Sequence, residues 1–166
     1  WINKTVNNIP PTFTINYDLF AINMNEIWAL VGSANNGITY SNFLKSTSSG
    51  DDWNLMYRYT DSLHTNSNDF WRLNFINGNT GFANGSFSFI ARTTNSGLNW
   101  SRINAVSVPF NYPIIGTILP IDGENIIAGG GYSGLGSYLP VNYVVKSSNT
   151  GTNWSIKTYN YNYKLN

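Results

Sequence analysis

The sequence contains no cysteine, which excludes a disulfide framework and a thiolate metal centre but leaves the compartment open. Charge is scarce as well. Asp, Glu, Lys and Arg make up only 10% of the 166 residues, against roughly 25% in an average globular chain. Nine basic and eight acidic residues, scattered singly, leave a net charge of +1, and so weak a field gathers neither nucleic acid nor anionic lipid. Histidine occurs once. No apolar run approaches the roughly eighteen residues that span a bilayer, and no stretch keeps apolar residues at the i, i+3, i+4, i+7 spacing of a helix face.

What the chain has instead is aromatic and amide character. Phe, Trp and Tyr reach 16%, and asparagine fills about one position in six. Short β-branched and aromatic runs recur between clusters of Gly, Asn, Ser and Pro, the signature of an all-β chain. At 18.5 kDa it is long enough to bury a core without staples.

The tryptophans bring out a repeat. Lys45-Ser46-Thr47-Ser48-Ser49-Gly50-Asp51-Asp52-Trp53 aligns with Arg92-Thr93-Thr94-Asn95-Ser96-Gly97-Leu98-Asn99-Trp100 and with Lys146-Ser147-Ser148-Asn149-Thr150-Gly151-Thr152-Asn153-Trp154. The shared pattern is basic, Ser/Thr, x, Ser/Asn, x, Gly, x, Asp/Asn, Trp. It specifies a hairpin turn: Ser48, Asn95 and Asn149 bond nearby backbone, Gly50, Gly97 and Gly151 supply positive φ, and Trp53, Trp100 and Trp154 staple the turn to its neighbour.

A second element precedes each box: Ile27-Trp28-Ala29-Leu30-Val31-Gly32, Gly81-Phe82-Ala83-Asn84-Gly85 and Ile126-Ile127-Ala128-Gly129-Gly130. Each follows a turn, respectively Asn23-Met24-Asn25-Glu26, Asn77-Gly78-Asn79-Thr80 and Asp122-Gly123-Glu124-Asn125. Each repeat therefore holds four strands, A to D, over residues 18–59, 70–106 and 113–160. A period of this length with several short strands marks a β-propeller of four-stranded antiparallel blades. Trp1 is in phase with the box tryptophans, so residues 1–6 are expected to form the outer strand of a preceding blade, and the 1–166 chain to be one propeller segment of a larger ring.

The boxes resemble the Asp-box, or BNR, repeat, written Ser/Thr-x-Asp-x-Gly-x-Thr-Trp. The Gly-aromatic-Ala-x-Gly strand resembles the propellers of photosystem II assembly and stability factors and their relatives in secreted bacterial proteins. The similarity runs through nearly the whole chain but is degenerate, because Ser48, Asn95 and Asn149 stand where the family has Asp. It implies a fold more than an activity. The same resemblance admits an assembly factor for a membrane complex, or a sialidase-like glycoside hydrolase with catalytic residues in missing blades.

Sialidases resembling this chain also need an arginine trio, a Tyr-Glu pair and an acidic donor, and only Arg58, Arg72, Arg92 and Arg102 are available. Arg92 fills the slot that Lys45 and Lys146 fill in the other boxes, which reads as a turn position set by the repeat. Arg58 and Arg102 fall on outer strands. Glycoside hydrolysis needs two opposed carboxyls, yet Glu26 and Glu124 occupy turns of different blades and Asp51 and Asp52 sit in a box. His64 lies in a polar D-to-A connector and reads as solvated.

The sequence thus points to a non-catalytic binding or scaffold module, secreted or on the surface of a bacterial cell, with no cofactor and no metal. The expected partners are a protein or glycan ligand, and either the remaining blades of the same protein or a second copy; nucleic acid and membrane insertion are not expected. The segment between the shared Ala and the box Trp is longer in repeats one and three than in repeat two. These B-C insertions carry Tyr40 and Phe43 in the first case and Tyr132, Tyr138 and Tyr143 in the second, and Tyr40, Phe43, Tyr132 and Tyr138 are expected to line the ligand face, with the box face inert.

Overall fold

The computed structural model describes residues 14–35, 38–60, 70–85, 89–103, 114–132 and 141–160. They form twelve strands: β1 (Thr14–Ala21), β2 (Ile27–Asn35), β3 (Ile38–Ser46), β4 (Asn54–Tyr59), β5 (Phe70–Phe75), β6 (Gly81–Gly85), β7 (Ile90–Thr93), β8 (Ser101–Ile103), β9 (Ile114–Pro120), β10 (Ile126–Tyr132), β11 (Val141–Ser147) and β12 (Ser155–Asn160). Each run of four is one antiparallel meander, giving three four-stranded sheets, blades one, two and three. The expected all-β blade architecture is the observed one. Residues 1–6, assigned above to a preceding blade, lie outside the described residues.

The first strands of the blades, β1, β5 and β9, lie side by side. None is bonded to the next as part of one sheet, so each is an edge whose free backbone groups need partners. Side chains of neighbouring blades provide them. The Leu73 amide donates to Asp18 Oδ2 at 2.8 Å, Asn74 Nδ2 donates to the Ile118 carbonyl at 3.2 Å, and the fully buried Asn84 donates to the Ile115 carbonyl at 2.7 Å. A register shift in every first strand pair, at Asn16/Asp18, Phe70/Arg72 and Gly129/Gly130, bends the inner edge at a similar place in each blade.

Two cores fill the junctions. Between blades one and two lie Trp28, Leu30, Phe43, Phe70, Leu73, Phe75, Ala83, Phe89, Ala91 and Trp100. Between blades two and three lie Phe82, Ile90, Ile115, Ile118, Ile126, Ala128, Tyr143 and Val145. Blade two is covered on both sides, so β6 is buried at every residue, and a strand buried on both faces loses the polar alternation. In blade three, Tyr143, Val145 and Ser147 are buried while Asn142, Val144 and Lys146 are exposed, the period-two pattern of a sheet covered on one face.

The longer B-C segment of repeat one is extra strand rather than a loop. β2 and β3 pair without a break from Ile27↔Ser46 to Asn35↔Ile38. This corrects the reading of Phe43, which pairs with Leu30 and is 0% exposed. Its ring packs at 4.5 Å from Trp100 and 5.9 Å from Phe70, so it holds two blades together and has no face left for a ligand.

Candidate functional site

The most regular construction in the molecule is the end of each blade where the A-B turn meets the C-D turn. In the A-B turns one short side chain accepts two backbone amides. Asn23 Oδ1 takes those of Asn25 and Glu26, Asn77 Oδ1 those of Asn79 and Thr80, and Asp122 Oδ1 those of Glu124 and Asn125. Asp122 alone is ionisable, and the Asn125 and Glu124 amides, with the Asn125 side chain, hold its carboxyl below the usual value.

The boxes repeat as closely. Ser46, Thr93 and Ser147 accept the amides of Gly50, Gly97 and Gly151 at 2.9 Å in each blade. Ser48, Asn95 and Asn149 accept the amides of Asp52, Asn99 and Asn153, so a hydroxyl or amide oxygen suffices for the turn. Ser49, Ser96 and Thr150 have φ of 58°, 56° and 59°, followed by glycines at 90°, 76° and 85°. This left-handed pair aims an amide of each box at its own A-B turn: Ser49 to the Asn25 carbonyl, Ser96 to that of Asn79 and Thr150 to that of Glu124. A-B turns and boxes therefore share one end of the blades.

Trp100 packs into the first junction and Trp154 against the second, while Trp53 donates its indole N–H to the Gly50 carbonyl at 2.9 Å. At the first junction Gly97 lies against the Trp28 ring; at the second Gly151 faces Ile103. Glycine serves space as well as φ here, because a Cβ at Gly97 would overlap the indole.

Beside each box stands its cation, and the three surroundings differ. Lys45 Nζ is 2.7 Å from Glu26 Oε1 and lies over the Trp28 ring, 5.3 Å from its centroid. Lys146 is exposed. Arg92 is half-buried, and its Nε is buried without a hydrogen-bond partner. It lines a cavity of about 230 Å³ with Ser101 and Ile103 of blade two and Thr150, Gly151 and Thr152 of blade three. From the sequence Arg92 reads as a turn position set by the repeat. Comparing partners as well as positions exposes it: where blade one has Glu26 opposite Lys45, blade two has Thr80 opposite Arg92.

The other three arginines are engaged. Arg58 Nε donates to Asn42 Oδ1 at 2.8 Å and its guanidinium lies over the Tyr40 ring. Arg72 Nη1 stands 3.7 Å from Asp18 Oδ1. Arg102 lies over Phe89 at 3.4 Å. Asp18 and Glu26 are thus committed to ion pairs and Asp122 to its turn.

At the opposite, B-C end, Tyr40 is half-buried on β3, with Arg58 stacked on its ring and Asn42 fixed beneath through Val31 and Ser33. Tyr132 closes β10 opposite Val141; Tyr138 lies outside the described residues. Tyr143 is buried, donating its hydroxyl to the Ile114 carbonyl at 2.8 Å.

No protein-family profile matches the sequence, and no curated protein matches it. Among solved structures it is similar to one described as YCF48 bound to D1 peptide, with a TM-score of 0.56 and 17% identity over 91% of this chain. The match covers 44% of that chain, so the present chain spans less than half of its neighbour's length. The likeness establishes a β-propeller fold.

Proposed function

We propose that this chain is a non-catalytic scaffold segment that holds a stretch of another protein on the ends of its blades. The observation that carries the reading is its likeness to a propeller solved with a peptide bound. The use of the acids supports it: Asp18, Glu26 and Asp122 are spent on an inter-blade amide, a lysine and a turn, which suits a framework more than a proton-transfer pair. We read the three boxes as degenerate Asp boxes of the BNR type, since Ser48, Asn95 and Asn149 accept the amide that places them in the turn. A composition poor in charge and rich in amides supports a secreted or cell-surface setting, tested by locating the protein in fractionated cells.

Within this reading Tyr40, Tyr132 and Tyr138 are contacts of the B-C end, with Arg58 presented on the Tyr40 ring. The test is a tiled-peptide array followed by titration calorimetry, run beside a glycan array and assays on sialosides and aryl glycosides. Saturable peptide binding without turnover is the expected result, weakened by Tyr132→Ala with Tyr138→Ala. Glycan binding in the absence of any peptide hit, or turnover abolished by Glu26→Gln, overturns the reading.

A further inference from the structure

The two blade junctions are built from corresponding positions, and the first has a carboxylate, Glu26, where the second has Thr80. At the first, Glu26 sits 2.7 Å from Lys45 and projects across to blade two, 3.4 Å from the place of a Cβ on Gly78. At the second, Lys45 becomes Arg92, Glu26 becomes Thr80, and Gly78 becomes Gly123. Thr80 brings no charge, and Gly123 has no atom within 4 Å of its Cβ position. Trp28, which reaches the Gly97 turn, becomes Phe82, a smaller ring. A pocket of about 230 Å³ opens at this second junction beside Arg92.

Arg92 is the cation left over by these exchanges. Its Nε is buried without a partner, whereas Arg58, Arg72 and Arg102 hold an amide oxygen, a carboxylate and a ring. A guanidinium presents parallel N–H groups that match the two oxygens of a carboxylate, a fork an ammonium lacks. On the pocket wall the Ser101 and Thr150 hydroxyls already donate to the Arg92 and Asn149 carbonyls, which leaves the Thr152 hydroxyl beside the guanidinium, and a site of one cation with one hydroxyl suits a singly charged planar anion. The geometry points to a carboxylate-binding site at the second junction: an aspartate or glutamate side chain of a bound peptide enters between blades two and three and does for Arg92 what Glu26 does for Lys45. The site lies at the box end, opposite Tyr40, and it rests on the reading that the chain binds a protein segment, whose acidic character it specifies.

The experiment follows the arginine Nε–Hε resonances of the full chain by NMR, with Arg92→Gln identifying the Arg92 signal. An N-acetylated, C-amidated Gly-Glu-Gly peptide is expected to shift that signal, and the Gly-Gln-Gly peptide to leave it in place. Binding weakens at least about tenfold in Arg92→Gln, the loss of one charge-assisted pair. Thr80→Glu, which restores the carboxylate that blade one has, is expected to displace the peptide equally while keeping Arg92, and a thermal melt of each variant confirms folding. An unmoved Arg92 signal, an equal response to the glutamine peptide, tighter binding of inorganic phosphate, or normal binding by folded Thr80→Glu overturns the proposal. If array peptides bind and ignore both substitutions, the carboxylate site fails and the scaffold reading stands. If the glutamate peptide shifts Arg92 but no array peptide binds, the reverse holds.

Discussion

Blades one and two meet through rings, blades two and three through branched aliphatics, although the same strand positions build both seams. Trp28 stacks on Phe75 at 4.8 Å, Phe43 lies 4.5 Å from Trp100, and Phe20 and Phe70 close the cluster. The second seam is Ile90, Ile115, Ile118, Ile126 and Val145 around Phe82 and Tyr143. A repeat thus fixes where side chains meet, not which kind of side chain fills the seam. The ring-filled junction pairs its cation internally, and the aliphatic one leaves Arg92 beside an open pocket.

The largest expected effect comes from emptying the ring-filled seam. Trp28→Ala removes a fully buried indole that touches Phe75 and the Gly97 turn, and such truncations cost about 3–5 kcal/mol. Urea unfolding is expected to show that loss with an unchanged slope. Ile90→Val in the aliphatic seam, also at a fully buried site, is expected to cost about 0.5–1.5 kcal/mol. A loss at Trp28 no larger than that at Ile90 would mean that the indole is not packed across the seam as described.

Next come the box glycines, which separate conformational strain from crowding. Gly50 and Gly97 both have positive φ, but a Cβ on Gly50 would meet nothing closer than 3.9 Å, while one on Gly97 would enter the Trp28 ring. Gly50→Ala is expected to cost about 1–2 kcal/mol for left-handed backbone alone. Gly97→Ala should add about 1–3 kcal/mol of overpacking. Adding Trp28→Phe to Gly97→Ala is expected to recover part of the second cost, and a double-mutant cycle by thermal unfolding measures it.

Most of the architecture was legible because it rests on local chemistry repeated three times. The boxes, the A-B turns and the four strands per repeat follow from polar side chains and glycines whose partners lie within a few residues. What escaped depends on partners that are not neighbours in the sequence. Phe43 reads as loop because repeat two is shorter, and only the unbroken pairing to Asn35↔Ile38 shows the extra residues to be strand. Arg92 escaped because its slot is conserved among the repeats while its partner is not; aligning Glu26, Thr80 and Asn125 against Lys45, Arg92 and Lys146 carries the signal.

A smaller effect is expected from the internal ion pair. Glu26→Gln leaves Lys45 half-buried without its carboxylate, a loss of about 1.5–3 kcal/mol for a charge-assisted bond before solvent screening, and less because both side chains are partly exposed, at 15% and 21%. Unfolding at low and high salt distinguishes the two: a deficit that shrinks as salt rises assigns the contribution to charge. An unchanged midpoint would show the Lys45–Glu26 pair to be neutral, and would remove the energetic contrast between the junctions.

The smallest effect concerns the one A-B turn whose amide acceptor can titrate. Asp122 does with a carboxylate what Asn23 and Asn77 do with amides, and the Asn125 and Glu124 amides that it accepts lower its pKa. A lowered folded-state value means that the carboxylate stabilises the fold above its unfolded pKa of about 3.9, and that this contribution disappears as pH falls through the folded value. Blade three alone therefore has an amide acceptor in this turn that acid can neutralise. The measurement is the pH dependence of the backbone amide shifts of Glu124 and Asn125, expected to turn over below about pH 3.9, with those of Asn79 and Thr80 as the turn that lacks a titrating group. Asp122→Asn is expected to flatten the response while keeping the turn, since asparagine already holds the same place in blades one and two. A midpoint at or above the ordinary carboxylate value would mean that the two amides do not hold the charge, and that this turn differs from its counterparts in geometry as well as in residue.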